Sequence, residues 1–298
     1  MNKQSLIVRN KPLLVVCGCT ATGKTKLALH LSKVFNGELI SADSRQVYKY
    51  MDIGTGKDIN KYGKIMGYDL VNPNEEFNIS YYSKFAKKAI DEIYKRNHLP
   101  ILVGGSGFYI KSVIQNISTI SIPANKILRE NLRGKTTSEL IEILANVDSK
   151  KLQLMNNSDR NNPRRLIRAI EVAASTDVKT KNNSNYDVLY VGLTIDTNEL
   201  KKRIEKRVDE RVEMGFSHEI KFLKENNYWE GAPSRTLGYK DWPNVDQWKV
   251  GEFKYAKRQM TWFKKEKQIS WFNISNTNFT KEVEKLVKKW YSQVNNAS

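Results

Sequence analysis

The feature that most restricts the fold of this chain is a glycine-rich loop near its start, Gly18-Cys19-Thr20-Ala21-Thr22-Gly23-Lys24-Thr25. The loop fits the pattern G-x-x-x-x-G-K-[ST], follows the apolar run 13–17 and precedes the amphipathic segment 24–35. Between a buried strand and a helix, such a loop offers backbone N–H groups and a positive helix end to phosphate oxygens. We therefore expect a phosphate-binding loop in which Lys24 neutralises a di- or triphosphate and Thr25 ligates Mg²⁺. The motif alone does not distinguish kinases, NTPases and other proteins that bind pyrophosphate groups.

The periodicity of the rest of the chain predicts an α/β protein. Short apolar runs at 38–40, 100–103, 188–195 and 269–274 indicate further strands, and helical periods cover 79–96, 196–214 and 279–291. Alternating strands and helices predict a P-loop NTPase-like parallel sheet flanked by helices. Strand signals fade between about 112 and 180. We therefore expect 1–111 and 186–298 to form the sheet-containing core and 112–185 to form a mostly helical insert.

The composition is strongly basic, with 50 Lys and Arg against 32 Asp and Glu and a formal net charge of +18. Such an excess favours a polyanionic partner, with nucleic acid ahead of an anionic membrane, although a Lys-rich surface is the simpler explanation. No apolar run approaches the length of a membrane span, and the start of the sequence lacks a secretory pattern. Cys17 and Cys19 are the only cysteines, which excludes a disulfide framework and predicts a reducing, cytoplasmic location.

Basic residues are concentrated in two segments. The first is 150–168, where Asp159 is the only acidic residue, and the second is 254–267, where Tyr255, Trp262 and Phe263 are interleaved with the charges. Basic and aromatic side chains together suit RNA phosphates and unstacked bases. A solvent-facing helix is the alternative for either segment.

A single carboxylate follows the second predicted strand. Asp43 belongs at the carboxyl end of the sheet, where ligands bind in this architecture. A carboxylate there can accept a proton from an attacking nucleophile, although a turn or helix-capping role is the commoner one for an aspartate. The polar loops 51–57 and 103–109 also follow strand positions, so three polar loops should converge on one edge of the sheet.

Seven pieces of the chain together resemble one family, the tRNA dimethylallyltransferases, which isopentenylate an adenosine beside the tRNA anticodon. The pieces occur in the order 18–25, 43–48 with 51–55, 103–110, 165–172, 203–209, 237–240 and 256–263. The phosphate loop alone is widespread, but this ordered set is specific and spans nearly the whole chain.

The resemblance implies transfer of a dimethylallyl group from dimethylallyl diphosphate to N6 of the adenosine on the 3′ side of the anticodon, with release of diphosphate. It implies that the loop 18–25 holds the prenyl diphosphate rather than ATP, with Lys24 and Thr25 on the phosphates and Mg²⁺. Carried over in the same way, Asp43 is the general base on the adenine amine. Arg207 is then a second cation for the leaving group.

The resemblance also implies a tRNA partner whose anticodon stem-loop is clasped by the helical insert, and a monomeric protein. The residues expected to contact the tRNA are Ser44, Gln46, Arg164, Arg165, Arg168, Lys257 and Arg258. Two departures bear on this expectation. The family usually has Pro-His-His before an aspartate where this chain has 64–69, and the insert is shortened between 115 and 140.

Three other functions share the same core. The chain could be an isopentenyltransferase acting on free adenine nucleotides, a small-molecule kinase or NTPase, or an RNA-binding protein without activity. The two basic segments favour RNA over a free nucleotide, and prenyl transfer without a nucleoside triphosphate would exclude a kinase.

Overall fold

The computed structural model describes residues 11–58, 65–115, 117–175 and 186–296, and its centre is a five-stranded sheet. The strands are β1 (Lys11–Gly18), β2 (Gly37–Ser41), β3 (Leu99–Gly104), β4 (Tyr186–Thr194) and β5 (Ile269–Asn273). Their order across the sheet is β2-β3-β1-β4-β5, and every neighbouring pair is parallel. The prediction of an α/β parallel sheet is confirmed.

Eleven α-helices occur in the described ranges. In chain order they are α1 (Lys24–Val34), α2 (Ile79–Lys95), α3 (Gly107–Ile114), α4 (Lys126–Asn131), α5 (Thr137–Leu154), α6 (Asn157–Arg160), α7 (Pro163–Ala173), α8 (Thr197–Glu213), α9 (Phe216–Glu225), α10 (Val245–Phe263) and α11 (Phe279–Asn296). The sequence predicted α1, α2 and α8 closely. It did not predict α9 and α10, and α11 continues beyond the predicted end at 291. No helix in these ranges combines the length and apolar character needed to cross a bilayer.

Strand β1 is buried on both faces of the sheet, as its continuous apolar run predicts. Successive side chains of a strand point to opposite faces. Leu13 and Val15 accordingly pack in one hydrophobic cluster with α2 and α3, and Leu14 and Val16 pack in a second cluster with α1 and α11. The first strand and the phosphate loop that follows it are therefore anchored in the core.

The order of the strands places the end of β1 where a ligand is expected. Helix α1 carries the chain past β3 to β2 on one side of β1, whereas β4 pairs with the other side of β1. Ligands bind at such a switch point, beyond the carboxyl ends of the strands. Gly18 ends β1 with φ +135°, and a Cβ there would lie 2.6 Å from the Leu193 carbonyl oxygen, so only glycine allows this approach to β4.

The described residues form two compact units. One comprises those of Met1–Gln115 and Ser184–Ser298, and the other those of Asn116–Asn183. The smaller unit is helical and has its own apolar cluster around Leu140, Leu144, Leu166 and Ile170. Residues 116 and 176–185 lie outside the described ranges, and the extent and role of the 112–185 insert stay predictions.

Candidate active site

A cavity of about 840 Å³ opens at the carboxyl ends of β1, β2 and β3. It is lined by the phosphate loop, the turn after β2, the loop 54–56, one face of α8 and part of α10. Many residues singled out from the sequence line it together: Thr20, Ala21, Gly23, Lys24, Thr25, Asp43, Ser44, Gln46, Arg207 and Arg258.

The phosphate loop is closed by its own side chains. Thr22 Oγ1 donates a hydrogen bond to the Cys19 carbonyl at 2.8 Å, and Lys24 Nζ donates to the same oxygen at 2.6 Å. Gly23 has φ +80° and precedes α1, so that Lys24 and Thr25 are the first two residues of the helix. Burial lowers the pKa of Lys24 to about 8, since the charged ammonium loses hydration inside the cavity. The site therefore holds a cation that gains from binding an anion.

Helix α8 supplies further cations to the loop. Arg207 Nη1 donates to Thr20 Oγ1 at 2.9 Å, and Arg203 Nε donates to the Ala21 carbonyl at 3.1 Å. Arg211 lies one turn further along the same face, as the i±4 spacing predicts. Its positive charge is the main reason that the pKa of Arg207 falls to about 10, with burial second. Three guanidinium groups thus line one wall of the cavity.

Two features of the sequence orient α8. Asp196 caps the helix by accepting hydrogen bonds from the backbone of Asn198 and Glu199. Leu200, Ile204 and Val208 form a buried stripe that adjoins the arginines on the helix surface, and Leu200 and Ile204 share an apolar cluster with Cys19 of the phosphate loop. The packing of this stripe therefore holds the arginines next to the loop.

Asp43 lies directly beyond β2 and lines the cavity, partly buried. Its Oδ1 accepts a hydrogen bond from the Arg45 backbone at 2.9 Å, which is the contact of a turn aspartate. The role of Asp43 in the turn does not exclude a role in the cavity, because the turn holds its carboxylate where it faces the cavity.

The predicted RNA contacts beside Asp43 also hold neighbouring loops together. The Ser44 backbone donates to Ser106 Oγ at 3.2 Å. Gln46 accepts from Ser41 Oγ at 2.8 Å and donates to the Gly56 carbonyl at 3.3 Å. The loops after β2 and β3 are thereby linked to each other and to the loop 51–57.

Gln259 is a site residue that the sequence reasoning missed. Its Oε1 accepts from the Thr20 backbone at 2.9 Å, and its Nε2 donates to the Gly105 carbonyl at 3.0 Å. The side chain is buried and bridges the phosphate loop to the loop after β3. The sequence does contain an indication of this role, since Gln259 is a polar residue on the face of α10 that Ala256 and Phe263 bury.

The loop 51–57 is held by a second residue that the sequence did not indicate. Glu219 on α9 accepts hydrogen bonds from the Tyr239 hydroxyl at 2.6 Å and from three consecutive backbone N–H groups, those of Asp52, Ile53 and Gly54, at 2.7 to 3.0 Å. A carboxylate that accepts from three successive backbone amides fixes the loop against α9.

The segment that departs from the family pattern also supports this loop. Lys57 Nζ donates to Asp52 at 2.7 Å and to Asp69 at 2.6 Å, and the Lys57 side chain is fully buried. Of the departing segment 64–69, residue 64 lies outside the described ranges. Within residues 65–69, Met66 forms an isolated parallel bridge with Ile40 of β2. The segment therefore borders the sheet.

The other predicted RNA contacts have different surroundings. Lys257 is exposed with its ammonium 4.5 Å from the Phe253 ring centre, and Arg258 is exposed at the cavity. In the smaller unit, Arg164 is exposed and Arg165 forms an ion pair with Asp159.

Arg168 has a structural task that the sequence did not predict. It donates to the buried carboxylate of Glu171 at 3.1 Å and to the Ile122 carbonyl at 2.9 Å. Arg129 donates to the same carboxylate, and together these hydrogen bonds lower the pKa of Glu171 despite its burial. Arg168 thus ties α7 to the segment that precedes α4.

Comparisons with known proteins agree on one family. The family model described as IPP transferase matches residues 46–266. The tRNA dimethylallyltransferases of Caldicellulosiruptor saccharolyticus and Finegoldia magna are 37% and 35% identical to this chain, over 92% and 94% of it and 96% and 98% of their own lengths.

Solved structures agree with the sequence relatives. A tRNA isopentenylpyrophosphate transferase from Bacillus halodurans superposes with a TM-score of 0.72 at 31% identity, covering 96% of this chain and 99% of that one. A eukaryotic dimethylallyltransferase shares the fold, with a TM-score of 0.81 at 22% identity over 96% of this chain and 80% of its own. This chain belongs to the IPP transferase family.

Proposed function

We propose that this chain is a tRNA dimethylallyltransferase, which transfers a dimethylallyl group from dimethylallyl diphosphate to N6 of the adenosine on the 3′ side of the tRNA anticodon. The observation that carries the proposal is one cavity that joins a phosphate loop, the cations Lys24 and Arg207, and the carboxylate of Asp43. The relatives named tRNA dimethylallyltransferase, at 35% and 37% identity over most of the chain, support the same reaction.

The donor end of the reaction needs positive charge. When the allylic C–O bond breaks, its electron pair remains on the diphosphate, so negative charge grows on the leaving group. In our proposal this charge is stabilised by Lys24 and Arg207, which both line the cavity, together with backbone N–H groups of the phosphate loop. Preorganised donors in a cavity stabilise such charge more than water does.

The acceptor end needs a base. The exocyclic amine of adenine is a poor nucleophile, and it must lose a proton as the new C–N bond forms. Asp43 faces the cavity and takes that proton in our proposal. The adenine has to leave its stack in the anticodon loop to reach Asp43, as in other enzymes that act on an extruded base.

Mg²⁺ is the proposed cofactor. The described residues hold no cluster of three or more His, Cys, Asp or Glu side chains suited to a metal. Mg²⁺ does not require one, because it keeps several waters and binds through one or two protein ligands and substrate phosphates. The Thr25 hydroxyl, in the cavity wall at the start of α1, fits that role. When bound, the ion would neutralise charge on the diphosphate.

The remaining predicted residues are proposed to bind the tRNA. Ser44 and Gln46 lie beside Asp43 in the cavity wall, and Arg258 lies at the cavity with Lys257 next to it. Arg164, Arg165 and Arg168 are the proposed contacts of the helical insert with the anticodon stem-loop. We further propose a monomeric enzyme and a cytoplasmic location, and the two buried free cysteines, Cys17 and Cys19, support the location.

The test is incubation with dimethylallyl diphosphate, Mg²⁺ and either unmodified tRNA or AMP, without any nucleoside triphosphate, followed by mass analysis of the nucleosides. We expect prenylated adenosine from tRNA alone. Prenylation of AMP but not of tRNA would favour the free-nucleotide function. Phosphoryl transfer from ATP without prenyl transfer would favour a kinase.

A further inference from the structure

Arg211 is a buried cation in the cavity wall that has no role in the proposed mechanism. It lies one helical turn beyond Arg207 on α8, with 6% of its surface exposed. Its Nη1 donates to Glu252 at 3.1 Å, but its buried Nε has no hydrogen-bond partner among the described residues. Buried polar groups nearly always have a partner, so an orphaned guanidinium N–H in a cavity wall indicates a ligand.

The neighbourhood of Arg211 fixes its orientation. Glu252 accepts from Arg211 and also from the Trp248 indole at 3.3 Å, and the Trp248 ring lies 5.9 Å from the Arg211 guanidinium carbon. Glu252 thus accepts from Nη1 of Arg211, whereas no described residue accepts a hydrogen bond from its Nε. Glu252 also balances the charge of Arg211, so the cation can stay buried without a bound anion.

Gly56 brings Arg211 and Arg207 side by side. It has φ +65°, and a Cβ at this position would lie 2.4 Å from the Nη2 atom of each arginine. The two guanidinium groups therefore pack against the backbone of Gly56, and any side chain at this position would displace them. Two like charges this close repel each other, and an anion that contacts both relieves the repulsion.

We propose that Arg211 is a further ligand of the diphosphate, which it contacts beside Arg207. This inference rests on the proposed function, since it assigns a role at the same diphosphate site. Arginine matches phosphate oxygens with paired donors in a fixed plane. A second guanidinium next to Arg207 makes the site suited to a diphosphate rather than to a single phosphate.

The test compares two variants by their affinity for inorganic pyrophosphate, measured by calorimetry on the full chain with Mg²⁺. Glu252→Gln removes the negative charge but keeps an oxygen that accepts from Arg211 and Trp248. The double variant Arg211→Met with Glu252→Gln also removes the cation. We expect Glu252→Gln to bind pyrophosphate at least as tightly as the unchanged protein, and the double variant to bind it at least tenfold more weakly. Binding of inorganic phosphate should change less.

Equal affinity of the double variant and the unchanged protein would overturn the assignment, and so would equal weakening by both variants, which is the mark of a packing role. If the double variant does not fold, Arg211→Lys replaces it, with several-fold weaker pyrophosphate binding expected and unchanged binding contradicting the proposal. Failure of the unchanged protein to bind pyrophosphate at all would instead refute the proposed function.

Discussion

Gln259 accepts a hydrogen bond from the backbone N–H of Thr20 at 2.9 Å, although 239 residues separate the two. The same side chain donates to Gly105 at 3.0 Å, so one amide joins the phosphate loop to the loop after β3. Helix α10 thereby sets the position of the loop that is proposed to hold the diphosphate.

Replacing Gln259 tests this bridge. Gln259→Leu leaves the buried Gly105 carbonyl without its partner, at a cost of about 1–3 kcal/mol, and also removes the acceptor of the partly buried Thr20 N–H. We expect a lower melting temperature and a raised KM for the prenyl diphosphate. Gln247→Leu is the matched control, since Gln247 is exposed on the same helix. Equal effects of the two substitutions would show that the bridge does not position the loop.

Gly56 offers a test of the paired arginines. In Gly56→Ala the new methyl group would meet the guanidinium groups of Arg207 and Arg211, so we expect pyrophosphate to bind about tenfold more weakly, the loss of roughly one charge-assisted hydrogen bond. Gly134→Ala is the control, since Gly134 also has positive φ, at +78°, but no atom within 4 Å of the new Cβ. Both variants should lose stability from backbone strain, of order 1 kcal/mol. If pyrophosphate affinity is unchanged in Gly56→Ala, the packing of the arginines against this loop has no role in binding.

The lowered pKa of Lys24 predicts a pH dependence of anion binding. Below about pH 8 the ammonium is charged, and it loses its proton as the pH rises through that value. Pyrophosphate affinity of the unchanged protein, relative to that of Lys24→Met, should therefore fall above pH 8, by up to about tenfold per pH unit. The comparison removes the titration of the ligand itself, which both proteins share. A ratio that stays constant from pH 7 to pH 9.5 would contradict the role of Lys24.

The salt dependence of tRNA binding tests the proposed RNA surface. Each neutralised phosphate releases counterions, so affinity should fall steeply with salt, and Lys257→Ala should reduce the log–log slope by about 1. Lys88→Ala is the control, because Lys88 is an exposed lysine on α2 with Glu92 as its ion-pair partner. A flat salt response of the unchanged protein would count against both basic segments.

Local patterns in the sequence predicted the parts of the site that local structure determines. The apolar run of β1, the glycine-rich loop and the first turn of α1 are continuous in sequence, and the i±4 spacing placed Arg203, Arg207 and Arg211 on one face. Asp43 was found because a strand end lies next to it in the chain.

Contacts between distant segments could not be predicted in this way. Gln259 reaches Thr20, and Glu219 reaches the loop 51–57, through packing of α9 and α10 that no local period specifies. The hydrogen bond from Arg168 to the buried Glu171 was likewise indicated by no local pattern, and the RNA contact suggested by the charge of Arg168 stays a prediction.

The most direct measurement is a single-turnover assay of dimethylallyl transfer to unmodified tRNA, with the unchanged protein and with Asp43→Asn, both at saturating tRNA and dimethylallyl diphosphate. We expect prenylated adenosine from the unchanged protein without any nucleoside triphosphate. We also expect a rate at least about 100-fold lower in the variant, the usual contribution of a general base, with unchanged tRNA affinity. No product from the unchanged protein, or equal rates from the two proteins, would contradict these expectations.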